Sequence, residues 1–553
     1  MIQRPKSPAA PLPRECMRHA ISKFANNIAL VTSDGQFTYT QLGERVLRLA
    51  THLKNLGVEP GTHVFSLLND SLAQVEVRLA TYELGASLTA FNAGHPTAQI
   101  ISAGRLVQPT LFMYDPAISN MPARFFEGNL PETKLLPVNA DYNRILETDV
   151  PSFAGSETSG RDIATMRFIF EEGAEPRALY FTQESVMKGV QQSVGELGFA
   201  RHKEMDITLA GIPFSDGGED IILPVLSNGG IIVLPECLDM SVFLEMIGRY
   251  RISRMLITAS QFIDFLEDTE QNQYDLNSLK QIIYSGGPLA PAKFEEALKR
   301  FGPVFRQVYQ IPEFQSFVST LRIEQHLRSG HSLSRRILAS VGRMNRGMSV
   351  RIIGRRGKEL PTGQIGEIVI AGPTMFNGYW KRADLTRKLV TDACHHTGNL
   401  GFVDKDGLLH VLNRRREVYQ RDERWVYPRQ IENVLHKHPS VRDVCLVRDE
   451  SLDKITLCVT LRQSWRKKRS WPEISRLLWQ HLNQNLDDEL LPDSLVYMPD
   501  LPRSYAGQII RQEVRAMLRK KRNTRTIPEH LFGNPAAAGP VIHTHPMMAG
   551  TVN

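Results

Sequence analysis

A run of turn residues that leads into a strand occupies residues 360–370 and reads Leu360-Pro361-Thr362-Gly363-Gln364-Ile365-Gly366-Glu367-Ile368-Val369-Ile370. A second short strand pattern, Val350–Ile353, precedes it. Short strands separated by turns, without helical periodicity between them, predict a β-rich subdomain that begins after Arg336.

The chain upstream of Arg336 alternates between strand patterns and helical patterns. Strands are predicted at Phe37–Thr40, Val64–Leu68, Ile207–Ile212, Ile231–Leu234, Arg254–Ile257 and Ile282–Tyr284, and helices at Ser71–Leu84, Met240–Tyr250 and Pro291–Phe301. A further helix, ending near Gly57, is expected to begin with a capping box over Thr40–Glu44. This alternation predicts layered α/β subdomains with parallel sheets.

The chain downstream of the β-rich region changes character again. Arg414–Arg421 is a charged, hinge-like stretch, and a separate small α+β pattern follows it to about Arg525. We therefore expect a large N-terminal domain over residues 15–415, a small mobile C-terminal domain over 416–525 and a flexible tail over 526–553.

Composition excludes several classes of protein. Of the 553 residues, 42% are hydrophobic and 23% are charged, which is typical of a globular chain and not of a disordered one. The five cysteines are scattered without metal-ligand spacing, which favours a reducing compartment and predicts no metal site. With no apolar run long enough to span a membrane and no signal-peptide pattern, we expect a cytoplasmic protein.

The positive charge is concentrated near the C-terminus. The net charge is +7, and residues 417–525 carry 21 Lys and Arg against 15 Asp and Glu, a net +6. A run of four basic residues, Arg466–Arg469, lies between Trp465 and Trp471. The patch is either a solvated face or a docking surface for an acidic partner such as a carrier protein. No nucleic-acid-binding motif accompanies the charge, so we expect no nucleic-acid partner.

Eleven short motifs follow one another in a fixed order over the C-terminal half. They read Val341-Gly342-Arg343, Val350-Arg351-Ile352-Ile353, Leu360-Pro361-x-Gly363-x-x-Gly366-Glu367-Ile368, Gly372-Pro373, Gly378-Tyr379-Trp380, Thr397-Gly398-Asn399, Gly401-Phe402, Asp404-x-Asp406-Gly407, Arg414, Pro428-x-x-Ile431-Glu432 and Leu501-Pro502-Arg503-Ser504-x-x-Gly507-Gln508-Ile509-x-Arg511. The series resembles the acyl-adenylating (AMP-binding) superfamily, which includes acyl- and aryl-CoA ligases. The resemblance extends over about residues 15 to 520. It implies a large N-terminal region, a swinging C-terminal domain, and formation of an acyl-adenylate from ATP before transfer to a thiol.

The phosphate-binding loop departs from the family pattern. The family reads T-S-G-T-T-G-x-P-K-G, whereas residues 169–178 read Ile-Phe-Glu-Glu-Gly-Ala-Glu-Pro-Arg-Ala. The hydroxyls and most glycines are lost and three glutamates are gained. A backbone anion site needs amides without nearby negative charge, so this loop is expected to bind triphosphate poorly.

Other nucleotide-site positions also lose the residues that the family uses to bind the nucleotide. The family lysine falls on Gln508 and the ribose-binding aspartate on Asn399, so both lose their charge. The family Y-G-x-T-E becomes Tyr309-Gln310-Ile311-Pro312-Glu313, which keeps only the tyrosine and the metal-site glutamate. The resemblance places the remaining nucleotide contacts at Gly286, Gly287, Pro288 and Arg414, and an acyl-pocket gate at Asp216. Asp216, Glu313 and Gln508 are the catalytic candidates.

Loss of the nucleotide contacts on a retained framework leaves three predicted functions. The first is an acyltransferase that moves an acyl or aryl group from a coenzyme A thioester to a carrier-protein thiol, a nearly isoenergetic step that needs no ATP or other cofactor. The second is a non-catalytic scaffold or regulatory pseudoenzyme of a biosynthetic assembly. The third is a divergent ligase that still forms adenylates. The sequence predicts neither the acyl group nor the oligomeric state. Cys394-His395-His396 is not expected to act as a Cys–His pair, because adjacent residues of a strand point to opposite faces.

Overall fold

The structure is a computed structural model that describes residues 11–118, 123–147, 155–170, 175–199, 206–267, 273–286, 289, 291–326, 335–421, 424–449, 454–466, 470–503 and 509–523. The chain divides into two compact units. The first comprises the residues through Leu289 together with Phe294–Val411, and the second comprises Leu412–Ser504 and the residues from Ile509 onward. Within the described ranges, no helix is long and apolar enough to cross a membrane.

Fourteen helices of the described residues belong to the first unit in whole or in large part. They are α1 (Pro13–Lys23), α2 (Tyr39–Asn55), α3 (Leu72–Leu84), α4 (Thr97–Val107), α5 (Ala123–Asn129), α6 (Ala140–Ile145), α7 (Gln183–Leu197), α8 (Ile222–Leu226), α9 (Met240–Tyr250), α10 (Ala259–Glu267), α11 (Pro291–Phe301), α12 (Ile323–His326), α13 (Arg335–Leu338) and α14 (Ala383–Leu389). The second unit has α15 (Pro428–Leu435), α16 (Gln463–Arg466), α17 (Trp471–Asn485) and α18 (Arg511–Asn523).

The strands of the first unit alternate with these helices as far as β13. They are β1 (Ile28–Thr32), β2 (Gly35–Thr38), β3 (His63–Leu67), β4 (Ser87–Phe91), β5 (Leu111–Tyr114), β6 (Lys134–Pro137), β7 (Ile163–Ile169), β8 (Arg177–Thr182), β9 (Ile207–Ala210), β10 (Ile231–Val233), β11 (Arg254–Thr258), β12 (Gln281–Ser285), β13 (Phe305–Tyr309), β14 (Ser319–Leu321), β15 (Arg343–Met344), β16 (Ser349–Ile353), β17 (Gly366–Ala371), β18 (Gly378–Tyr379), β19 (Val390–Thr391), β20 (Cys394–Val403) and β21 (Leu409–Arg414), whose last residues enter the second unit. The second unit adds β22 (Tyr419–Arg421), β23 (Arg424–Val426), β24 (Val441–Asp449), β25 (Lys454–Leu461) and β26 (Ser494–Tyr497).

Two large sheets and one smaller sheet organise the first unit. The first sheet has the order β15-β14-β13-β12-β11-β9-β10-β1-β2, and its strands from β13 to β1 are parallel. The second has the order β18-β8-β7-β4-β3-β5-β6, in which β7, β4, β3, β5 and β6 are parallel. The third joins β16, β17, β20, β19 and β21 and is the predicted β-rich part. The α/β fold class with a smaller α+β C-terminal part is confirmed.

Apolar strands and helix faces form the cores that hold these sheets. One core of the first unit joins α2 and α3 to β3, β4 and α8, and another packs α9, α10 and α11 on the sheet that contains β11 and β12. The parallel strands are buried on both faces, as in Val64–Leu67 and Met255–Ile257. The second unit has its own core, in which α15 and α17 pack on β24 and β25.

The predicted start of α2 is wrong by two residues. The capping box is formed by Thr38 and Gln41, and not by Thr40 and Glu44: Gln41 N donates to Thr38 Oγ1 at 3.2 Å and Thr38 N donates to Gln41 Oε1 at 2.8 Å. Tyr39 is the first helical residue, and its buried phenol donates to Leu226 O and Gly230 O inside the core. Strand β1 was not predicted from its short apolar run.

Candidate active site

The carboxyl ends of strands from the two large sheets carry polar residues that hydrogen-bond to one another. Asn92 follows β4, and its Nδ2 donates to Ser215 Oγ at 2.6 Å and to Asp216 Oδ2 at 3.2 Å, in the 3₁₀ turn Phe214–Asp216 beyond β9. Asp70 follows β3 and accepts from the backbone N–H of Phe214 at 3.0 Å. In open α/β sheets, ligands bind outside the carboxyl ends of the strands. This crevice is therefore the candidate active site.

The crevice raises the pKa of two carboxyl groups. Burial is the main cause for both and brings the pKa of Asp216 to about 6, although hydrogen bonds from Ser215 and Asn92 oppose the shift. Burial and the nearby charges of Asp216 and Glu219 raise the pKa of Asp70 to about 7, against the Phe214 hydrogen bond. Carboxyl groups whose pKa lies near neutrality are suited to accept and return protons. Asp216, predicted as a candidate, thus lies in the crevice, while its neighbour Asp70 was missed.

A buried network of charges and amides lies behind the turn. Asp220 accepts from Arg167 Nη2 at 2.5 Å, from Gln315 Nε2 at 2.7 Å and from Gln310 Nε2 at 2.8 Å. Burial opposes the charge of Asp220 and raises its pKa, while Arg167 acts in the opposite direction. These bonds tie the segment after β13, which carries Gln310 and Glu313, to the segment that follows β9.

A small cavity adjoins this network. It has a volume of about 10 Å³ and is lined by Tyr82, Gly189, Glu219, Asp220 and Gln315 among others. A space of this size holds at most one water molecule. The cavity is therefore a packing feature and is too small for a substrate.

Tyr309 and Asn399, two of the nucleotide-site residues that the resemblance implies, contact each other. Asn399 Nδ2, on β20, donates to the phenol oxygen of Tyr309 at the end of β13 at 2.8 Å. The backbone N–H of Asn399 donates to Thr397 Oγ1 at 3.1 Å. The structure thus brings Tyr309 and Asn399 together, with the amide of Asn399 engaged by protein.

Glu313, which the family would use to bind a divalent cation, has protein partners. The Tyr379 phenol donates to Glu313 Oε1 at 3.2 Å, and His395 Nε2 lies 3.4 Å from the same oxygen. Burial alone would raise the pKa of Glu313, but His395 and Tyr379 hold the pKa below its ordinary value. Since Glu313 is only 8% exposed and an imidazole faces its carboxylate, the residues present do not fit a magnesium site.

The structure describes only some of the other predicted site residues. Gln508, Gly287, Pro288 and the loop glutamates Glu171 and Glu172 lie outside the described residues. Gly286 follows β12 with a φ of +94°. Arg414 ends β21 in the second unit. Of the phosphate-loop positions, Arg177 is described and stacks 5.9 Å from the Tyr379 ring centroid.

His395, Gln310, Asn92 and Asp70 are site residues that the sequence reasoning missed. Asp70 lies three residues after β3, and Asn92 lies directly after β4. A polar residue at the carboxyl end of a strand was the available sequence signal. His395 gave no signal, because its approach to Glu313 depends on the packing of β20 against the segment after β13. The prediction that Cys394 and His395 do not pair agrees with their contacts, since Cys394 Sγ instead accepts from Arg351 at 2.9 Å.

Comparison with known proteins identifies the family. A model of the AMP-binding enzyme family matches residues 17–168 and 173–380, which is more than half of the chain. A 2-succinylbenzoate–CoA ligase from Geobacillus sp. (strain WCH70) is 25% identical over 509 residues, which cover 90% of this chain and 96% of the ligase. A medium/long-chain-fatty-acid–CoA ligase, FadD8 of Mycobacterium tuberculosis, is 28% identical over 310 residues, and this match covers about half of each protein, 55% and 53%.

Solved structures share the fold over nearly the whole chain. The amide bond synthetase McbA from Marinactinospora thermotolerans matches with a TM-score of 0.80 at 24% identity, covering 92% of this chain and 99% of McbA. The anthranilate CoA ligase AuaEII matches with a TM-score of 0.83 at 20% identity, covering 92% and 98% of the two chains. Together with the family model and the ordered motifs, these matches place the chain in the AMP-binding enzyme family.

Proposed function

We propose that this AMP-binding-family protein no longer adenylates acids and instead transfers an acyl or aryl group from a coenzyme A thioester to the thiol of a carrier protein. The observation that carries the proposal is the engagement of Glu313 by His395 and Tyr379. A buried carboxylate that already accepts a hydrogen bond from a phenol and faces an imidazole has fewer oxygen lone pairs left for a divalent cation. Adenylation by this family depends on that cation and on the triphosphate it accompanies.

Two further features support the loss of adenylation. The Asn399 amide already donates a hydrogen bond to Tyr309, and an amide cannot make the charge-assisted bond to ribose hydroxyls that a carboxylate makes. The phosphate loop carries glutamates where the family has hydroxyls and glycines. Each change weakens nucleotide binding separately, so their effects accumulate.

The transfer step needs no energy source because one thioester replaces another. The acceptor sulfur loses its proton and attacks the thioester carbonyl carbon, so that a new carbon–sulfur bond forms. The bond to the coenzyme A sulfur breaks, and coenzyme A leaves as its thiol with a proton. Asp216 is the candidate acceptor of the first proton, since a carboxylate with a pKa of about 6 is largely ionised at neutral pH.

An amine acceptor is the second candidate, and the carboxyl pair in the crevice favours it. Asp216 and Asp70 place negative charge beside the site, which would attract an ammonium group before it is deprotonated. The structural similarity to an amide bond synthetase is consistent with this acceptor. The same carbon–sulfur bond would break, and a carbon–nitrogen bond would form in place of the new thioester.

One assay separates these possibilities from a scaffold. Purified protein is incubated without ATP with a panel of acyl- and aryl-CoA thioesters and either an acidic carrier protein in its thiol form or a set of primary amines. Acyl transfer to the carrier, detected by intact mass, supports the proposal, and transfer to amine alone supports the second candidate. A parallel incubation contains ATP, magnesium and the free acids in place of the thioesters. Product formation only in that incubation would restore the ligase function, and no product under any condition would favour the non-catalytic scaffold.

A further inference from the structure

A group of polar side chains on the third sheet takes no part in the crevice. Thr391 lies on β19 and His396 on β20, and the Thr391 hydroxyl is 2.9 Å from His396 Nε2, within hydrogen-bond distance. The other ring nitrogen of His396, Nδ1, lies 3.4 Å from Glu367 Oε2 on β17. A hydroxyl beside an imidazole whose second nitrogen faces a carboxylate is the arrangement of a nucleophile, its general base and the group that orients the base.

The pairing of the strands brings these three side chains to one face of the sheet. Val369 of β17 lies directly opposite His396, and Glu367 lies two residues before Val369, so it shares that face. Thr391 lies opposite Cys394, which is two residues before His396 and is therefore on the same face. The group thus results from strand register and not from adjacent positions in the sequence.

The turn between β19 and β20 holds the Thr391 backbone beside β20. Its two residues, Asp392 and Ala393, have φ values of 50° and 57°, the backbone of a tight two-residue hairpin that usually has asparagine or glycine at these places. Strain of this kind persists where the surrounding structure holds it, and it is concentrated at functional sites. The short turn therefore keeps the hydroxyl within reach of the imidazole.

A positive charge lies on the same face as the hydroxyl. Arg351 of β16 lies opposite Val369, and its Nη2 donates to Cys394 Sγ at 2.9 Å. Cys394 is the cross-strand partner of Thr391, and the Cβ atoms of such partners are about 5 Å apart. The guanidinium is therefore placed to favour negative charge on a carbonyl oxygen whose carbon is attacked by Thr391.

We propose that Thr391, His396 and Glu367 form a second catalytic site, which hydrolyses small activated carboxylic esters. Thr391 Oγ1 attacks the ester carbonyl carbon and passes its proton to His396 Nε2, so that a carbon–oxygen bond to threonine forms. The bond to the leaving alcohol breaks, and the alcohol departs with the proton from His396. Water then attacks the acyl-threonine, releases the carboxylic acid and restores the hydroxyl. Glu367 is a positioning residue, since it faces the ring nitrogen that does not transfer the proton.

The openness of the site sets the substrate class. Thr391 is exposed and the His396 side chain is 25% exposed, so an ester would reach the hydroxyl directly from solvent. Few protein contacts are then available to hold the acyl group. We expect small acyl groups, leaving groups that depart easily, such as phenolates, and a KM above about 1 mM, the upper end of the common range.

Hydrolysis of p-nitrophenyl acetate by the full chain tests the proposal. Release of nitrophenolate is measured above the spontaneous rate, and acetylated residues are mapped after a rapid acid quench. We expect Thr391→Ala and His396→Gln each to lower kcat/KM by about a hundredfold, the lower end of what a positioned general base contributes. Thr391→Ser keeps a hydroxyl and should retain activity. The assay contains no coenzyme A thioester, carrier or amine acceptor, so its outcome is independent of the proposed transfer function.

Three further variants separate the site from general surface reactivity. Thr362→Ala removes an exposed threonine from the turn before β17 and should leave the rate unchanged. Cys394→Ala removes the thiol on the same face and should leave acetylation of Thr391 in place. Glu367→Gln should lower kcat with little change in KM, because it alters only the orientation of the base. Equal rates for the natural protein and Thr391→Ala, with unchanged melting temperatures, would overturn the proposal, as would acetylation at Cys394 or at lysines in place of Thr391.

Discussion

Asn399 Nδ2 donates a hydrogen bond to the phenol oxygen of Tyr309 at 2.8 Å. In this pairing the amide nitrogen donates to the phenol, and the amide oxygen is left as a neutral acceptor for a ribose hydroxyl. Two positions that the family uses for the nucleotide thus stabilise the junction between β13 and β20 in this protein.

We predict no ATP–pyrophosphate exchange with any panel of carboxylic acids at millimolar ATP. Asn399→Asp and Gln508→Lys, alone or combined, should not restore it, because the phosphate loop and the engagement of Glu313 by His395 are unchanged. The measurement is incorporation of labelled pyrophosphate into ATP. A family member with intact motifs serves as the positive control, and robust exchange with one acid would show that adenylation survives.

The fold was largely predictable from sequence because buried parallel strands and amphipathic helices leave local patterns. Met240–Tyr250 and Pro291–Phe301 were predicted with their observed bounds. The start of α2 was misplaced because the sequence offers two threonines as caps, Thr38 and Thr40, and the structure uses Thr38 together with Gln41 three residues later. With this start the Tyr39 side chain is buried, and its phenol donates to Leu226 O and Gly230 O.

The site was predictable only where motif order specified a position. Tyr309, Glu313 and Asn399 could be placed by their motifs, and Asp216 by its turn. The contacts that change their chemistry depend on packing between distant elements: His395 approaches Glu313, and Gln310 reaches Asp220 across 90 positions of sequence. No pattern of neighbouring residues encodes those distances.

The raised pKa values of Asp70 and Asp216 predict that these two groups destabilise the folded state as pH rises. In the folded state Asp70 and Asp216 keep protons up to about pH 7 and 6, whereas unfolded aspartates release them near 3.9. Because the folded state binds more protons at these two groups between about pH 4 and 7, their contribution to stability falls as pH rises through this window. Asp216→Asn should reduce the loss of unfolding free energy between about pH 4 and 7 by about 1–2 kcal/mol, after allowance for the partial exposure of the site.

Denaturation midpoints measured from pH 4.5 to 8 check this expectation. Asp141→Asn is the matched control, since the Asp141 side chain is 71% exposed on α6 and should leave the slope unchanged. An Asp216→Asn variant whose stability changes with pH as steeply as that of the natural protein would contradict the prediction.

A buried ion pair in the second unit predicts that removal of its cation strongly lowers the local stability around β24. Arg511 Nη1 lies 2.5 Å from Glu432 Oε1 and Nη2 lies 2.9 Å from Oε2, a two-point contact, and Glu432 Oε1 also accepts from Leu446 N. Arg511→Met would leave the Glu432 charge buried without its cation, at a cost of about 3–5 kcal/mol. Hydrogen exchange of β24 should then speed up by two orders of magnitude or more.

Arg519→Ala provides the control for that variant. Arg519 is exposed on the same helix, and its replacement should change the free energy of local opening, measured by hydrogen exchange, by less than about 0.5 kcal/mol.

The same ion pair predicts a pH dependence of local stability. Burial opposes the charge of Glu432, but Arg511 holds its pKa below the ordinary value. The contribution of the pair is therefore complete above about pH 4.3 and is lost as pH falls further, so β24 should lose protection in acid. Unchanged exchange in Arg511→Met would show that the pair adds nothing.

The basic run near α16 is predicted to speed docking of an acidic carrier. Arg466 is exposed at the end of α16, and Lys467–Arg469 lie outside the described residues. Charges at the rim of an interface act mainly on the association rate and its dependence on salt. Replacing all four with serine should slow association and flatten its salt response, as measured by surface plasmon resonance. Arg356→Ser with Lys358→Ser, exposed after β16, is the control; unchanged rates in the fourfold variant would mean that the run is a solvated face.

Ligand-induced stabilisation separates loss of nucleotide binding from loss of all binding. A ligand that binds only the folded state adds about 2.7 kcal/mol at one hundred times its dissociation constant, a readable rise in melting temperature for a chain of this size. Because the loop is acidic and Glu313 faces His395, we expect no shift with ATP and magnesium. An acyl-CoA that serves as donor should raise the melting temperature, because the proposed transfer requires the folded protein to bind it. A clear shift in melting temperature with ATP would show that the loop still binds phosphate. If neither ATP nor any member of a broad acyl-CoA panel shifts the melting temperature, the scaffold is favoured, since a transferase must bind its donor.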